Sequence, residues 1–304
     1  MSDLVNTIPR ELYPFEGRYF DRGAGVRMHY LDEGEGPPVV MVHGNPTWSF
    51  YYRQLVLALR DGHRCIVPDH VGMGLSDKPG DDRYAYTLAQ RVDDLEALLE
   101  HLGVDRDVTL VVHDWGGMIG MAWAARHPER VARLVILNTA AFPLPSDKPF
   151  PWPLWLTRTP LGALLVRRFN AFSEVASRVC VTRAPMPPEV RRAYTAPYGS
   201  WDDRIATLRF VQDIPLRAGD RGWPILEATA AKLPSLAHLP ALICWGDQDF
   251  VFDLAFLREW RKHLPDAEVV RFPDAGHYVL EDAAEEVIAL IESFLADHPL
   301  ASVA

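Results

Sequence analysis

The residues able to do chemistry are concentrated in three short stretches, each directly behind an apolar run. The first, Leu110-Val111-Val112-His113-Asp114-Trp115-Gly116-Gly117-Met118, reads as a buried strand, a tight turn and a helix from Met118 to His127. A side chain on such a turn is held up at a strand end beside a helix N-terminus, the geometry of a nucleophile elbow. Here the nucleophile slot holds a carboxylate, Asp114, in place of Ser or Cys. A carboxylate attacks carbon when it is desolvated, aimed and backed by other groups, so the rest of the chain has to supply those groups. An Asp between a strand and a helix is more often an N-cap, and Asp114 alone decides nothing. The other two stretches, Trp245-Gly246-Asp247-Gln248-Asp249 and Asp274-Ala275-Gly276-His277, follow successive apolar strands. Nucleophile, then carboxylate, then histidine is the chain order of one type of catalytic triad, with His277 as base and Asp249 orienting its ring. Taken singly, His277 is more often a satisfied loop histidine; the three signals together outweigh their ordinary readings.

Regular elements must hold these residues. Pro38-Val39-Val40-Met41-Val42-His43 is the continuous apolar run of a central strand. It opens through Gly44-Asn45-Pro46-Thr47-Trp48 into a helix from about Ser49 to Arg60. A strand from Arg64 to Asp69 leads into the Gly-rich loop Gly72–Pro79. The next helix starts at a Thr87…Gln90 capping box, carries Leu88, Val92, Leu95, Leu99 and Leu102 as its apolar stripe, and ends at Gly103. After the elbow comes a strand from Val131 to Leu137. Strands alternating with amphipathic helices predict an α/β fold, a mostly parallel sheet with helices on both faces. Such sheets place sites at the carboxyl ends of their strands, where His43, Asp69 and Asp114 fall. From Phe142 to Ser235 prolines cluster, aromatics rise and the alternation stops, which predicts an inserted helical lid. It resumes with a strand from Pro240 to Gly246, a helix from Leu254 to His263, a strand from Glu268 to Phe272, and a last helix from Ala283. That last helix has Val287, Ile291, Phe294 and Leu295 on one face. The expected organisation is 1–141 as the first half of the core, 142–235 as the lid and 236–304 as the second half.

Composition narrows the function classes. At 304 residues and 48% hydrophobic, the chain can bury a large core. A formal net charge of −10 argues against nucleic acid or an anionic membrane surface as a partner. Cys65, Cys180 and Cys244 are too far apart for a disulfide framework or a zinc spacing, and read as buried thiols. The start, Met1 to Pro9, lacks the basic and apolar segments of a signal peptide, and no run approaches the ~18 apolar residues of a membrane span. A cytoplasmic enzyme with no cofactor and no metal, acting on a hydrophobic small molecule, is expected.

Across nearly its whole length the chain resembles the α/β-hydrolase superfamily, and within it the haloalkane dehalogenase group. The matching pieces are His43-Gly44-Asn45-Pro46, the Pro68–Pro79 stretch, His113-Asp114-Trp115-Gly116-Gly117, Trp245-Gly246-Asp247-Gln248-Asp249 and Gly276-His277. The resemblance implies an eight-stranded sheet, with Asp114 as nucleophile toward saturated carbon. It also implies that the side chains of Asn45 and Trp115 donate N–H groups to the leaving anion and that their backbone N–H groups form an oxyanion hole. Where one subfamily carries a Glu triad acid, this sequence reads Asn138-Thr139-Ala140, which moves the acid to Asp249, with Asp247 as the alternative. Asp249, Asn45, Trp115 and the lid stretch from Phe210 to Leu216 resemble the third dehalogenase subfamily. Many of its members are similar to β-lactone decarboxylases of bacterial long-chain olefin biosynthesis. The preferred reading is therefore decarboxylation of a cis-3,4-dialkyl-oxetan-2-one to a cis-alkene and CO₂. A haloalkane dehalogenase with an Asp114 alkyl ester is the alternative.

Further residues carry secondary readings. Trp152, Trp155, Phe142, Phe150 and Phe169 either line a pocket for two alkyl chains or pack the lid on the core. Tyr194 and Tyr198 invite an epoxide-hydrolase reading, in which paired lid tyrosines polarise the epoxide; Asn45 stands against it. Arg167-Arg168 and Arg191-Arg192 read as a solvated helix face, or as a docking surface for another enzyme of an olefin pathway. A non-catalytic ligand receptor is the remaining reading, and retention of Asp114, Asp249 and His277 opposes it. As an elbow carboxylate Asp114 is expected to be exposed, so that Asp114→Ala leaves the fold intact.

Overall fold

The computed structural model describes residues 8–300; the reading of the chain's start falls almost wholly on residues 1–7, outside that range. Strands β1 (Arg18–Asp21), β2 (Arg27–Glu33), β3 (Pro38–Val42), β4 (Arg64–Pro68), β5 (Val108–Asp114), β6 (Val131–Thr139), β7 (Ala241–Gly246) and β8 (Glu268–Phe272) form one 8-stranded sheet in the order β1-β2-β4-β3-β5-β6-β7-β8. The β1–β2 and β2–β4 pairings are antiparallel and every later neighbour is parallel. All of β5 is buried, as its unbroken apolar run requires of a strand covered on both faces.

Helices α1 (Arg53–Leu59), α2 (Leu88–His101) and α3 (Trp115–Arg126) belong to the first half of the sheet. Between β6 and β7 lie α4 (Trp152–Thr157), α5 (Pro160–Phe169), α6 (Ala171–Val179), α7 (Pro188–Thr195), α8 (Ile205–Gln212) and α9 (Trp223–Lys232). Then follow α10 (Leu254–His263), α11 (Val279–Asp282) and α12 (Ala284–Asp297). Successive strand side chains point to opposite faces, and the core divides accordingly. Val40, Val42, Leu110, Val112, Leu134 and Ile136 pack with Leu88, Val92 and Leu95 of α2, Trp123 of α3 and Trp260 of α10. Val39, Met41, Val111, Val135 and Leu137 pack with Leu55 and Val56 of α1 and with Val287, Ile291 and Phe294 of α12. The three cysteines are buried and unpaired.

Local chemistry sets the boundaries. The Thr87 side chain accepts from the Gln90 N–H at 3.3 Å to start α2, and Thr159, ahead of Pro160, does the same from Gly162 at 3.1 Å for α5. The Ser49–Arg60 helix is a 3₁₀ turn over Ser49–Tyr52 followed by α1, and the elbow helix begins at Trp115, three residues before the expected start. Late in the inserted segment, α9 packs against α3 and so rejoins the helical layer of the sheet. Among the described residues no helix is long and apolar enough to cross a membrane.

A buried ion pair ties the inserted segment to both halves of the core. Arg53 on α1 bonds Glu281 on α11 at 2.5 and 2.9 Å, and the Tyr194 hydroxyl on α7 donates to the same carboxylate at 2.5 Å. Arg53→Met leaves Glu281 buried without its cation. Unfolding in urea is expected to show a loss of about 3–5 kcal/mol.

Candidate active site

The elbow is held in a backbone conformation that few L residues adopt. Asp114 sits at φ 52°, ψ −125° between β5 and α3, a strain of about 1–3 kcal/mol that persists only where the surroundings over-determine it. Gly116 lets the first turn of α3 lie against β3, since a Cβ there would meet the Val42 carbonyl oxygen at 1.8 Å. The Thr139 hydroxyl at the end of β6 donates to the Asp114 carbonyl. Contrary to expectation, Asp114 is not an exposed carboxylate: it is only 7% accessible, and its Oδ1 accepts the Asn45 backbone N–H at 2.6 Å.

His277 and Asp249 converge on it. The loop after β8 brings His277 Nε2 to 3.5 Å from Asp114 Oδ2, while His277 Nδ1 meets Asp249 Oδ2 at 2.8 Å. Asp249 also accepts the backbone N–H groups of Val251 and Phe252 at 2.7 and 3.0 Å. Asp247 turns away and pairs with Arg271 at 2.6 Å, so Asp249 is the carboxylate on the imidazole. Burial works against the His277 cation, but the Asp249 and Asp114 carboxylates outweigh it and hold the ring well above its usual range. Burial likewise raises the Asp114 carboxyl; contact with His277, His113 and the Asn45 N–H more than offsets this and keeps it below its usual value. The His277 imidazole thus lies between the Asp114 and Asp249 side chains and is biased toward its cationic form.

Asn45, Asp114, Trp115 and His277 line one cavity of about 430 Å³ whose wall is otherwise almost wholly apolar. It is walled by the core on one side and by α4, α5, α6 and α8 on the other. Asn45 uses one amide N–H on the Thr207 carbonyl at 3.1 Å, and its NH₂ group retains a second donor. The Trp115 ring packs edge-on against Phe210, centroids 5.1 Å apart. All five residues predicted for the site thus lie at the cavity or directly behind it. Gly44 lets Asn45 approach: a Cβ there would fall 2.0 Å from Asp114 Oδ1. Gly44→Ala is expected to displace the carboxylate and lower kcat by about a hundredfold or more, with the circular-dichroism spectrum unchanged.

Three residues had no assigned role in the sequence reading. Asn138, at φ 34° on β6, donates from Nδ2 to Asp249 Oδ2 at 3.1 Å and accepts the Gly246 N–H at 2.8 Å. It thus orients Asp249 from the very position where the sequence lacks a carboxylate. His113 lies stacked on Tyr51 and, with burial and His277 holding its pKa down to about 3, donates from Nε2 to the His277 carbonyl at 2.9 Å. Arg91, on the apolar face of α2, lies fully buried over Phe210 (3.8 Å) and Trp115 (5.2 Å), paired with Asp213 at 3.0 Å. An arginine inside a helix's apolar stripe was the available signal.

Several secondary readings need correction. Phe142, Phe150 and Trp152 line the cavity, whereas Trp155 and Phe169 do not. Neither lid tyrosine reaches it: Tyr194 is engaged with Glu281, and Tyr198 donates to the Pro46 carbonyl at 3.0 Å. The epoxide-hydrolase cue therefore fails. His43 and Asp69 occupy strand ends as expected but build a separate buried network, in which Asp69 holds His29 Nδ1 at 2.8 Å and the Ser49 N–H at 2.6 Å. That network braces the loop carrying Asn45.

Residues 37–284 match the α/β-hydrolase fold family. The chain is 61% identical to the cis-3-alkyl-4-alkyloxetan-2-one decarboxylase of Shewanella oneidensis, over 94% of this chain and 90% of that protein. It is 54% identical to the enzyme of the same name from Xanthomonas campestris pv. campestris, over 95% and 98%. Among solved structures, a loop variant of the haloalkane dehalogenase DbeA from Bradyrhizobium elkanii superposes with a TM-score of 0.83 at 27% identity, covering 93% of this chain and 97% of that one.

Proposed function

This chain belongs to the α/β-hydrolase fold family, and on that premise we propose that it is a β-lactone decarboxylase. It converts a cis-3-alkyl-4-alkyloxetan-2-one to a cis-alkene and CO₂ in long-chain olefin biosynthesis. The observation that carries the choice of lactone over haloalkane is the near full-length identity to two decarboxylases, far above that to the dehalogenase fold neighbour.

The site's groups take the following roles in this reading. Asp114 Oδ1 is engaged by the Asn45 N–H, so Oδ2, facing His277, attacks the ring carbon that bears the lactone oxygen. The C–O bond to that carbon breaks, an ester to Asp114 forms with inversion, and the substrate's carboxylate is released. Asn45 and Trp115 hold this carboxylate as they would hold a halide. Charge in the cavity is conserved, because Asp114 becomes a neutral ester as the substrate becomes an anion opposite the His277 imidazolium. In an apolar cavity that carboxylate is poorly solvated, which favours loss of CO₂. The electron pair of the breaking C–CO₂ bond forms the alkene and expels Asp114. Inversion followed by anti loss gives the cis product, and no water is consumed. Asp249, oriented by Asn138, keeps His277 charged and aimed.

A haloalkane would undergo the same attack, but its ester would then need water activated by His277. Offered a cis-dialkyl β-lactone and a bromoalkane side by side, the purified protein is expected to form alkene without comparable bromide release. Rapid bromide release with the lactone untouched overturns the proposal.

A further inference from the structure

The cavity opens onto a face that the reaction alone does not account for. Trp152, Leu156, Val175, Val179 and Phe250 both line the cavity and stand exposed, Trp152 by 75%, so they form its mouth. The apolar surface continues past the mouth onto residues that do not touch the cavity: Trp155 on α4, and Leu161, Leu164 and Phe169 on α5, each exposed by 48–62%. Helix α4 packs on α5 and α5 on α6, so these ridges adjoin. Each has arginine near its end: Arg158 lies 5.9 Å from the Trp155 ring centroid and donates to the Val211 and Ile214 carbonyls, Arg168 lies 5.6 Å from the Phe169 centroid, and Arg178, between Val175 and Val179 on α6, pairs with Glu174 at 2.7 Å.

Charge is segregated in the same way. Residues 142–235 carry 13 Lys and Arg against 8 Asp and Glu, a net +5, whereas the remainder carries 18 against 33, a net −15. Within that segment α4, α5 and α6, residues 152–179, carry four Arg against one Glu, a net +3, so the chain total of −10, which read as opposed to an anionic membrane, conceals a locally cationic face beside the cavity mouth. Exposed tryptophans flanked by arginines match the chemistry of the headgroup boundary, where the rings enter the interface and the guanidinium groups meet phosphate.

We propose that the face formed by α4, α5 and α6 docks on an anionic phospholipid surface, with the cavity mouth against the lipid. The acidic remainder of the molecule is repelled by that surface and sets the orientation. That a long-chain lactone enters and an alkene leaves through this contact rests on the decarboxylase reading; the docking itself does not.

The test uses the full chain and vesicles of phosphatidylcholine with or without phosphatidylglycerol, followed by co-sedimentation. Binding is expected to require phosphatidylglycerol and to weaken as salt is raised. Leu161→Ser combined with Leu164→Ser, Phe169→Ser and Arg168→Glu, all outside the cavity, is expected to weaken it at least about tenfold. The same variant keeps wild-type turnover of a short-chain, water-soluble β-lactone and loses turnover of a long-chain lactone presented in vesicles. Absence of binding at low salt, or binding unaltered in the variant, overturns the proposal. Self-association abolished by the same substitutions, without vesicle binding, assigns the face to a second copy of the chain. A chain that binds vesicles but turns over no lactone overturns the decarboxylase reading and leaves the docking standing.

Discussion

Asp114→Asn is expected to lower turnover of a cis-dialkyl β-lactone by at least about a thousandfold while leaving the chain folded. Asn offers no nucleophilic oxygen, yet it tolerates the positive φ of the elbow and keeps an acceptor for the Asn45 N–H. The loss in unfolding free energy is expected to stay below about 2 kcal/mol. A pH series adds a second readout. The folded state depresses the Asp114 pKa, so its ionised form contributes stability that is present above the unfolded value of ~3.9 and is lost as pH falls through the depressed folded value. Unfolding midpoints measured downward from neutral pH should converge for wild type and Asp114→Asn in acid. A variant that retains lactone turnover would remove the nucleophile from the account.

His277→Gln is expected to separate the two chemistries. It removes the cation opposite Asp114, and lactone turnover should fall by about 10²–10⁴-fold. Because decarboxylation of the ester consumes no water, no alkyl adduct should accumulate on Asp114 during that slow turnover. With a bromoalkane the same variant has no base for hydrolysis, so whatever ester forms should persist and appear in the intact-protein mass. A lactone-derived adduct that persists in His277→Gln would make His277 a base in the lactone reaction as well. The imidazole is held well above its usual range, so its contribution to wild-type stability is complete below the unfolded value of ~6.5 and disappears only as pH rises through the elevated folded one.

Much of this arrangement was legible in the residues. An apolar run ending in His113-Asp114-Trp115-Gly116-Gly117 specifies a strand, an elbow and a helix because the two glycines allow approaches that a Cβ would block. Chain order then supplied His277 and Asp249. The parallel sheet followed from the alternation of buried strands with amphipathic helices. What escaped the sequence depends on distance across the fold. Asn138 looked like a missing carboxylate, and only the β6–β7 pairing puts its amide on Asp249. Arg91 and Asp213 are 122 residues apart, and nothing local marks them as partners behind Trp115. The lid tyrosines looked catalytic by type; packing gave one to Glu281 and the other to the Pro46 carbonyl. Exposure of Asp114 was misjudged because a neighbouring loop, invisible in the elbow's own sequence, closes over it through Asn45.

The central claim is that Asp114 opens the lactone at saturated carbon and is regenerated without water. Multiple turnovers of a cis-dialkyl β-lactone in ¹⁸O-labelled water, followed by mass analysis of the peptide containing Asp114, test it most directly. The account predicts alkene formation with Asp114 carrying no label. Label entering the Asp114 carboxylate in step with turnover would contradict it, because an ester or anhydride on that residue would then be resolved by hydrolysis.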